Sequence, residues 1–599
     1  MSHSQALQQS HSPFQLNLSW RFIAKGIEKL LGLEALEYHY QNRPTPLSDK
    51  AENTQQFLRY TMDTLGFSLQ LDNPQQLASI PKEGACIMVS NHPLGGLEGV
   101  AMSEQLLKVR PDLKVLTNQM LKSIPELSDL FIGVDVLASD ARKANSKGMR
   151  ELCRHLSKGG AVLIYPSGMV SAPSWSNRQI TDRAWSDIVG RLARRYQCPC
   201  VPFYVDGRNS NFFYAAGLIH PRLRTALLAK QLINKQGKTF HYRCGNVITA
   251  KELDGLSDHQ AITHYLRMTS EFLAPQHSKE HHYQKHAELQ PIASLPSHTQ
   301  QLEKHLEGLL AYRLVQFKEF SCYCAPYYEL GPVMTEIAQA REVTFRAAGE
   351  GTGNSEDSDQ FDPHYLHLFV WDHQAGKIVG GYRIGRCDDI IAEHGISALY
   401  SRSLYHYEEG YLKKLGNALE IGRSFVVPSY QRHPRALDLL WKGIGAYVAQ
   451  NPAYHTLFGS VSISQEHSTL ARAFISDSMM SAYRAEQEFL ADIRPVSPLK
   501  VKGKVWSAEV LSSLGNIAVI NKLVGHCDAG KSVPILLRHY LSLNGRFVCF
   551  SVNKNFNDAL DGLILVDLRK TPSKYLKRYL GEKGSQEFLN QWTEHEDAA

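Results

Sequence analysis

No stretch of this 599-residue chain reaches the ~18 consecutive apolar residues that a membrane-crossing helix needs. The opening MSHSQALQQSHSPF lacks the basic and apolar regions of a secretory leader, so an intracellular, soluble or peripheral protein is expected. Cysteine is sparse. None of the ten forms a C-x-x-C pair, and Cys198/Cys200 and Cys322/Cys324 are too closely spaced for a zinc finger, which predicts reduced, packed thiols. With 42 Gly and 26 Pro the chain is neither collagen-like nor of low complexity. Hydrophobic residues at 43% and charged residues at 21% are ordinary for globular domains, and the length suggests two to four of them.

Acid is missing from one long segment. The net charge of +6 is mild, yet Gly207 to Lys251 holds eight Lys/Arg (Arg208, Arg222, Arg224, Lys230, Lys235, Lys238, Arg243, Lys251) and no Asp or Glu. A solvated face is the plain reading. A one-signed surface suits an anionic membrane or an acidic carrier protein better. No RNA-binding, zinc-finger or basic-zipper pattern accompanies it, so no nucleic-acid partner is expected.

The segment 276–300, with five His and two Pro, reads as a linker, dividing the chain into 1–275 and 301–599. Near the start, Trp20, Ile23, Ile27, Leu30 and Leu31 follow helical spacing with Arg21, Lys25 and Lys29 between them. Such a helix either packs on its own domain or lies in a membrane interface. Beyond it, 85–90, 161–168 and 200–207 read as buried strands and 103–109 and 145–157 as helices, an α/β alternation. In the second half, 365–372 and 377–385 read as strands around a tight turn. The segments 418–427, 456–464 and 545–552 are further strands, with a long helix over 436–449. A mixed-sheet α/β domain is expected.

Within SNHPLGGLEG, Asn91-His92 falls at a strand end, Gly95 and Gly96 allow a close turn, and Glu98 follows. A histidine within reach of a carboxylate is what a general base needs: the imidazole takes a hydroxyl proton, and the acid fixes its tautomer. These residues resemble the first motif of the glycerolipid acyltransferases, and more closely the lyso-ornithine-lipid O-acyltransferase branch, often labelled hemolysin-like. Two departures stand out: Glu98 replaces the usual Asp, and five residues rather than four separate it from the histidine. Segments 124–137, 159–171 (with Pro166, Ser167 and Gly168) and 201–210 resemble the later motifs in order. Members that acylate glycerol phosphate carry Glu and Arg in the third block. This chain has Ser167 and Met169–Val170 there, so an acceptor without a phosphate monoester is implied. The resemblance covers 18–255 and implies substrate contacts at Asn91, Gly95, Gly96, Pro166, Ser167 and Gly168.

A second set of charged residues lies in the other half. Glu420 and Arg423 share one predicted strand, whose alternation puts them on opposite faces unless a bulge intervenes. A strand carboxylate can deprotonate an ammonium for attack on a thioester; the plain reading is a structural ion pair. Arg341 with Phe345, Asp359 with Asp362, Arg383, and Glu420 with Arg423 resemble, in order, the sparse pattern of the autoinducer-synthase-like and ornithine-lipid N-acyltransferase families, relatives of the GNAT fold. The resemblance covers 301–580. It implies amine activation by Glu420, with the arginines positioning a carboxylate or a carrier arm.

Together the resemblances imply a bifunctional acyltransferase on the inner face of the cytoplasmic membrane. One half would acylate the ornithine α-amine from acyl carrier protein, or from acyl-CoA; the other would esterify the resulting lyso-ornithine lipid. Neither reaction requires a metal or bound cofactor. Glycine, lysine or glutamine as acceptor, an ordinary lysophospholipid acceptor, and a membrane-perturbing protein are the alternatives. GHCDAGKS (525–532) also satisfies the phosphate-loop expression. Asp528 inside the cradle, Pro534 just beyond it and the short remaining chain argue against nucleotide binding.

Overall fold

The computed structural model of the protein describes residues 14, 21–135, 141–174, 179–219, 221–275, 289–292, 299–500 and 506–596. Trp20 and most of the His-rich segment lie outside them. The chain divides into two compact units, Met1–Gln276 with Gly503–Leu514 and His277–Lys502 with Gly515–Ala599, each with its own sheet.

In the first unit the three predicted apolar runs lie side by side at the sheet centre. Seven strands, β1 (Ser68–Leu71), β2 (Cys86–Ser90), β3 (Lys114–Asn118), β4 (Phe131–Val134), β5 (Ala161–Ile164), β6 (Cys200–Asp206) and β7 (Thr239–Cys244), take the order β1-β7-β6-β2-β5-β3-β4. Neighbours from β6 to β4 run parallel. Every residue of β2 and β5 is buried, as strands covered on both faces must be.

Helix α1 (Arg21–Leu31) follows the predicted spacing. Its Leu31 packs on a cluster around Val170 and Phe213, while Leu30 is exposed, so the helix is partly seated on its own unit. Helix α2 (Gly96–Leu106) begins well before the predicted Ser103 and ends before Val109; the glycines launch it directly from the turn. Helix α3 (Ala141–Ser157) contains the predicted 145–157.

The cation-rich stretch is not one open field. Arg224 and Lys235 are buried, Lys235 donates to the Arg208 carbonyl (2.6 Å), and Arg243 pairs with Asp72 (3.0 Å). Long basic side chains can bury their stems and still satisfy the head group, which charge counting along a sequence does not register.

The second unit holds eight strands: β8 (Arg313–Phe317), β9 (Phe320–Pro326), β10 (Leu366–Asp372), β11 (Lys377–Arg386), β12 (Ala418–Val426), β13 (Thr456–Ile463), β14 (Arg546–Asn553) and β15 (Ala559–Asp567). Their order is β8-β9-β10-β11-β12-β13-β15-β14. All neighbours are antiparallel except β12 and β13. Helix α4 (Pro332–Ala347) carries Arg341, and α5 (Ala436–Gln450) is the predicted long helix after β12.

Two features depart from a linear reading. Gly503–Leu514 returns to the first unit. There Glu509 accepts from Gln260 (2.5 Å), and the Ser513 hydroxyl meets the His264 ring (2.7 Å). The 525–532 segment begins in the last turn of helix Ile517–Cys527 and not at the end of a strand, and Lys531 is tied to Glu466 (2.5 Å). It therefore lacks the strand–loop–helix setting of a phosphate cradle.

Candidate active sites

The first site forms where β2 ends, at the carboxyl edge of a parallel sheet, where open α/β folds place ligands. Asn91 does not line the cavity described below. Its side chain ties that strand end to its neighbour, accepting from Val205 N (2.7 Å) and donating to Val205 O (2.9 Å). The chain then turns through Gly95, whose φ of +94° favours glycine; a Cβ there would stand 2.9 Å from Leu228 Cδ2. That turn starts α2 and places Glu98 in its first turn, where the helix dipole favours an acid.

Glu98 is fully buried and folds back on the turn. Its Oε1 accepts from Leu94 N (3.1 Å) and stands 2.8 Å from His92 Nδ1. With Nδ1 facing an acid, Nε2 is the nitrogen left to take a proton. Burial disfavours imidazolium, but the charges of Glu98 and Asp182 outweigh it and hold the His92 pKa above its ordinary value.

Asp182 gave no signal in the sequence. It accepts from His92 N (3.2 Å), Ser171 Oγ (2.5 Å) and Trp185 Nε1 (3.0 Å). Burial raises its pKa, against the pull of those donors. Tyr165 places its ring 4.6 Å from the imidazole. The YPSG turn closes through Gly168, at φ +63°, with the Ser167 hydroxyl donating to the Met169 carbonyl (2.9 Å).

His92, Gly95, Gly96, Pro166 and Gly168 line a cavity of about 790 Å³ whose other walls are mostly apolar, among them Val115, Leu127, Phe131 and Ile164. That is the size and character of a pocket for a large hydrophobic ligand.

The second site is a cleft within the mixed sheet. The parallel strands β12 and β13 pair only at Ala418↔Thr456, Leu419↔Leu457 and Glu420↔Phe458. At Gly459 the backbones all but touch, since a Cβ would lie 1.9 Å from the Ile421 carbonyl oxygen. Beyond that point the pairing stops. Gly422, Arg423, Ser460, Ser462, Tyr400, Asn553 and Asp561 help line a cleft of about 60 Å³ between the strands.

The expected alternation along β12 is broken. Arg383 pairs with Gly422 and Gly381 with Phe425, so Arg423 and Ser424 together stand opposite Tyr382. Arg423 takes φ +48°, uncommon for a residue with a side chain. This bulge puts Arg423 on the cleft beside Glu420 instead of on the opposite face.

Behind the cleft the predicted residues form one ion-pair network. Arg341 meets Asp362 (2.9 Å); Arg383 meets Asp359 (2.6 Å) and Asp362 (3.0 Å); Arg423 meets Asp359 (2.8 Å) and Asp357 (3.0 Å). Burial opposes ionisation of Asp362, but Arg341 and Arg383 hold it well below the usual carboxylate range. Burial and the Arg341 charge push His367 down to about 3, leaving it neutral between Arg341 Nη2 and the Asp362 carbonyl. Arg341, Asp359 and Asp362 brace the cleft, while Phe345, Arg383, Glu420 and Arg423 line it.

Glu420 is heavily engaged. It accepts from Ser401 N (2.6 Å), Tyr400 N (3.2 Å) and the Tyr365 hydroxyl. Asp561, on β15, escaped the sequence reading because LDGLILVD looks like an ordinary strand. It lines the same cleft with Asn553 Nδ2 donating to its Oδ2 (2.8 Å). Burial pushes its pKa up to about 6, against Asn553 and Arg423.

Two family models match the chain: one described as acyltransferase over residues 53–278, and one described as acetyltransferase (GNAT) domain over 340–442. A glycine N(α)-acyltransferase of Phocaeicola vulgatus is 31% identical over 261 residues, covering 41% of this chain and 78% of that protein. A lyso-glycine lipid O-acyltransferase of the same organism is 27% identical over 209 residues, covering 33% and 70%. A solved 1-acyl-sn-glycerophosphate acyltransferase from Thermotoga maritima is 14% identical, covering 40% of this chain and 84% of that one at a TM-score of 0.24. The protein is an acyltransferase of mixed α/β architecture with two acyltransferase domains. By its likeness to the first of these relatives, the chain belongs to the family of the glycine N(α)-acyltransferases, and the same polypeptide carries a second acyltransferase domain ahead of its GNAT domain.

Proposed function

We propose that the chain makes a two-chain amino-acid lipid in consecutive steps, with ornithine as the amine acceptor. In the GNAT-like unit an amino-acid ammonium loses a proton, and its nitrogen attacks the thioester carbonyl of a 3-hydroxyacyl donor. The C–N bond forms, the C–S bond breaks, and the second N–H proton neutralises the leaving thiolate. Asp561 is the proton acceptor, because Glu420 already holds three donors. In the first unit His92 Nε2 takes the proton of the 3-hydroxyl, the oxygen attacks a second thioester, and imidazolium protonates the departing sulfur. Glu98 faces the imidazole and Asp182 holds the His92 backbone N–H, fixing the residue for that exchange.

The observation that carries the acceptor assignment is charge. In and behind the cleft, Arg341, Arg383 and Arg423 face five carboxyl groups, those of Asp357, Asp359, Asp362, Glu420 and Asp561. An acceptor with an additional ammonium suits that excess better than glycine does, whereas the relatives' names favour glycine. Acyl carrier protein is the proposed donor, with acyl-CoA as the substitute.

The proposed location is the inner face of the cytoplasmic membrane. Exposed Phe212, Leu218, Ile219 and Leu223 support contact with a lipid surface, and no described helix is long and apolar enough to cross one.

The test is acceptor competition. Purified protein receives a 3-hydroxyacyl carrier-protein thioester with equal ornithine and glycine, and products are read by mass spectrometry. One- and two-chain ornithine lipids are expected. Predominant glycine lipid would move the acceptor to glycine, and absence of any amide would overturn the amine-acylating reading.

A further inference from the structure

Arg224 is 5% exposed, yet its Nη2 has no hydrogen-bond partner among the described residues. A buried guanidinium without an anion is costly, and proteins seldom keep one unless something pairs with it. The groups acting on its charge are another cation, Arg183, and more weakly the Tyr214 phenol, rather than a carboxylate. Burial first, and then that repulsion, lower its pKa, the direction expected of a cation awaiting a counter-charge.

Its position is specific. Arg224 lines the 790 Å³ cavity together with His92, and also a neighbouring cavity of about 350 Å³ together with Arg183 and Tyr214. Gly217 leaves room for its stem, since a Cβ there would come 3.1 Å from Arg224 Cδ. Among the described residues, the one carboxylate lining the smaller cavity, Asp182, is occupied by His92 N, Ser171 and Trp185. The turn that closes beside the cavity carries Ser167 and Met169, neither of them charged. An anionic acceptor therefore needs its counter-charge from elsewhere on the cavity wall.

We propose that Arg224 is the acceptor-carboxylate site of the O-acylation centre: it pairs with the free α-carboxylate of the lyso-amino-acid lipid while His92 faces the 3-hydroxyl. This rests on the two-step function proposed above. In such an acceptor the hydroxyl and the carboxylate are about six bonds apart, and a base and a cation line the same cavity. The carboxylate replaces lost hydration with a charge-assisted pair, and Arg183 adds to the field.

The test compares wild type with Arg224→Gln and Arg224→Lys in the full chain, using N-(3-hydroxyacyl)ornithine, N-(3-hydroxyacyl)glycine and their methyl esters. Each is assayed with acyl carrier protein and CoA thioesters. Wild type should use the free acids with a KM about ten-fold or more below that of the esters. Arg224→Gln should raise the acid KM to the ester value with kcat little changed, and Arg224→Lys should fall between. A denaturant melt of the full chain serves as the folding control, and the transition of the first unit, which holds Arg224, should not move.

Equal use of acid and ester by wild type would overturn the site. So would a defect that follows the choice of donor, which would assign Arg224 to the donor's phosphates. If Arg224→Gln lowers that transition, Arg224→Lys and the wild-type acid-to-ester ratio decide. Failure of wild type to esterify either lyso-lipid would bring down the two-step function itself.

Discussion

The two sites solve opposite problems. The first is a cavity of about 790 Å³ with mostly apolar walls and a compact polar device, one histidine whose ring faces Glu98 and whose backbone N–H is held by Asp182. The second is a cleft of about 60 Å³ backed by a buried network of three arginines and several aspartates. A long-chain amphiphile is held largely by burial, at ~0.8 kcal/mol per methylene, so the protein need place only a base and a charge. A small polar amine offers little surface to bury, so its site depends on fixed charges, and those must be neutralised by one another. On the function proposed above, the site for the greasy substrate has sparse polar machinery and the site for the polar one has a lattice of charges.

The sharpest break between the sites is His92→Ala. It should lower esterification by about 10²–10⁴-fold, the usual worth of a general base, while amide formation continues and one-chain lipid accumulates in lipid mass spectra. Two-chain lipid at wild-type levels would remove His92 from its role. Asp561→Asn should lower amide formation by about 10²-fold or more and leave esterification of supplied lyso-lipid intact. In wild type the amide-forming rate should rise with pH through about 6, as Asp561 loses its proton; the variant should lack that limb. Aminooxyacetate, whose amine is neutral at pH 7, should recover most of the variant's loss.

Next in size is a stability effect. Arg341→Ala leaves Asp362 buried without one of its two arginines, and a broken buried pair costs about 3–5 kcal/mol. Denaturant melts of the full chain should show the transition of the second unit moving to lower midpoint, with that of the first unchanged.

The smallest effect is a displacement of pH dependence. Because the folded protein holds the His92 pKa above its usual ~6.5, the free base appears only at higher pH, and the acid limb of esterification should lie above that value. Glu98→Gln removes the charge responsible and should shift the limb down while reducing the rate. By the same sign, imidazolium at His92 stabilises the fold at low pH, and that contribution is lost as pH rises through the raised pKa.

Much of this architecture could be read from the chain. β2, β5 and β6 announce themselves as unbroken apolar runs because strands buried on both faces have no alternation to disguise them. His92 and Glu98 were legible as a pair because a short glycine turn brings near neighbours together. Asp182, Asp357 and Asp561 were not, since each reaches its site through tertiary folding and sits among unremarkable residues. The bulge at Arg423 had no local signal either, because a positive φ on arginine is imposed by its surroundings. The acid-free stretch misled in part: sequence shows the charges of Arg224 and Lys235 but not that both are buried.

The halted pairing of β12 and β13 has a consequence for how such an enzyme changes over time. Past Ile421 and Gly459 two strands of one sheet confront each other with peptide groups that do not join. An extended substrate arm bearing its own amides would meet main-chain donors and acceptors there, a mode of recognition that side-chain substitution barely touches. On the function proposed above, the donor arm would be read by backbone and the acceptor by replaceable side chains, so one amino acid could be exchanged for another without altering how the donor is held.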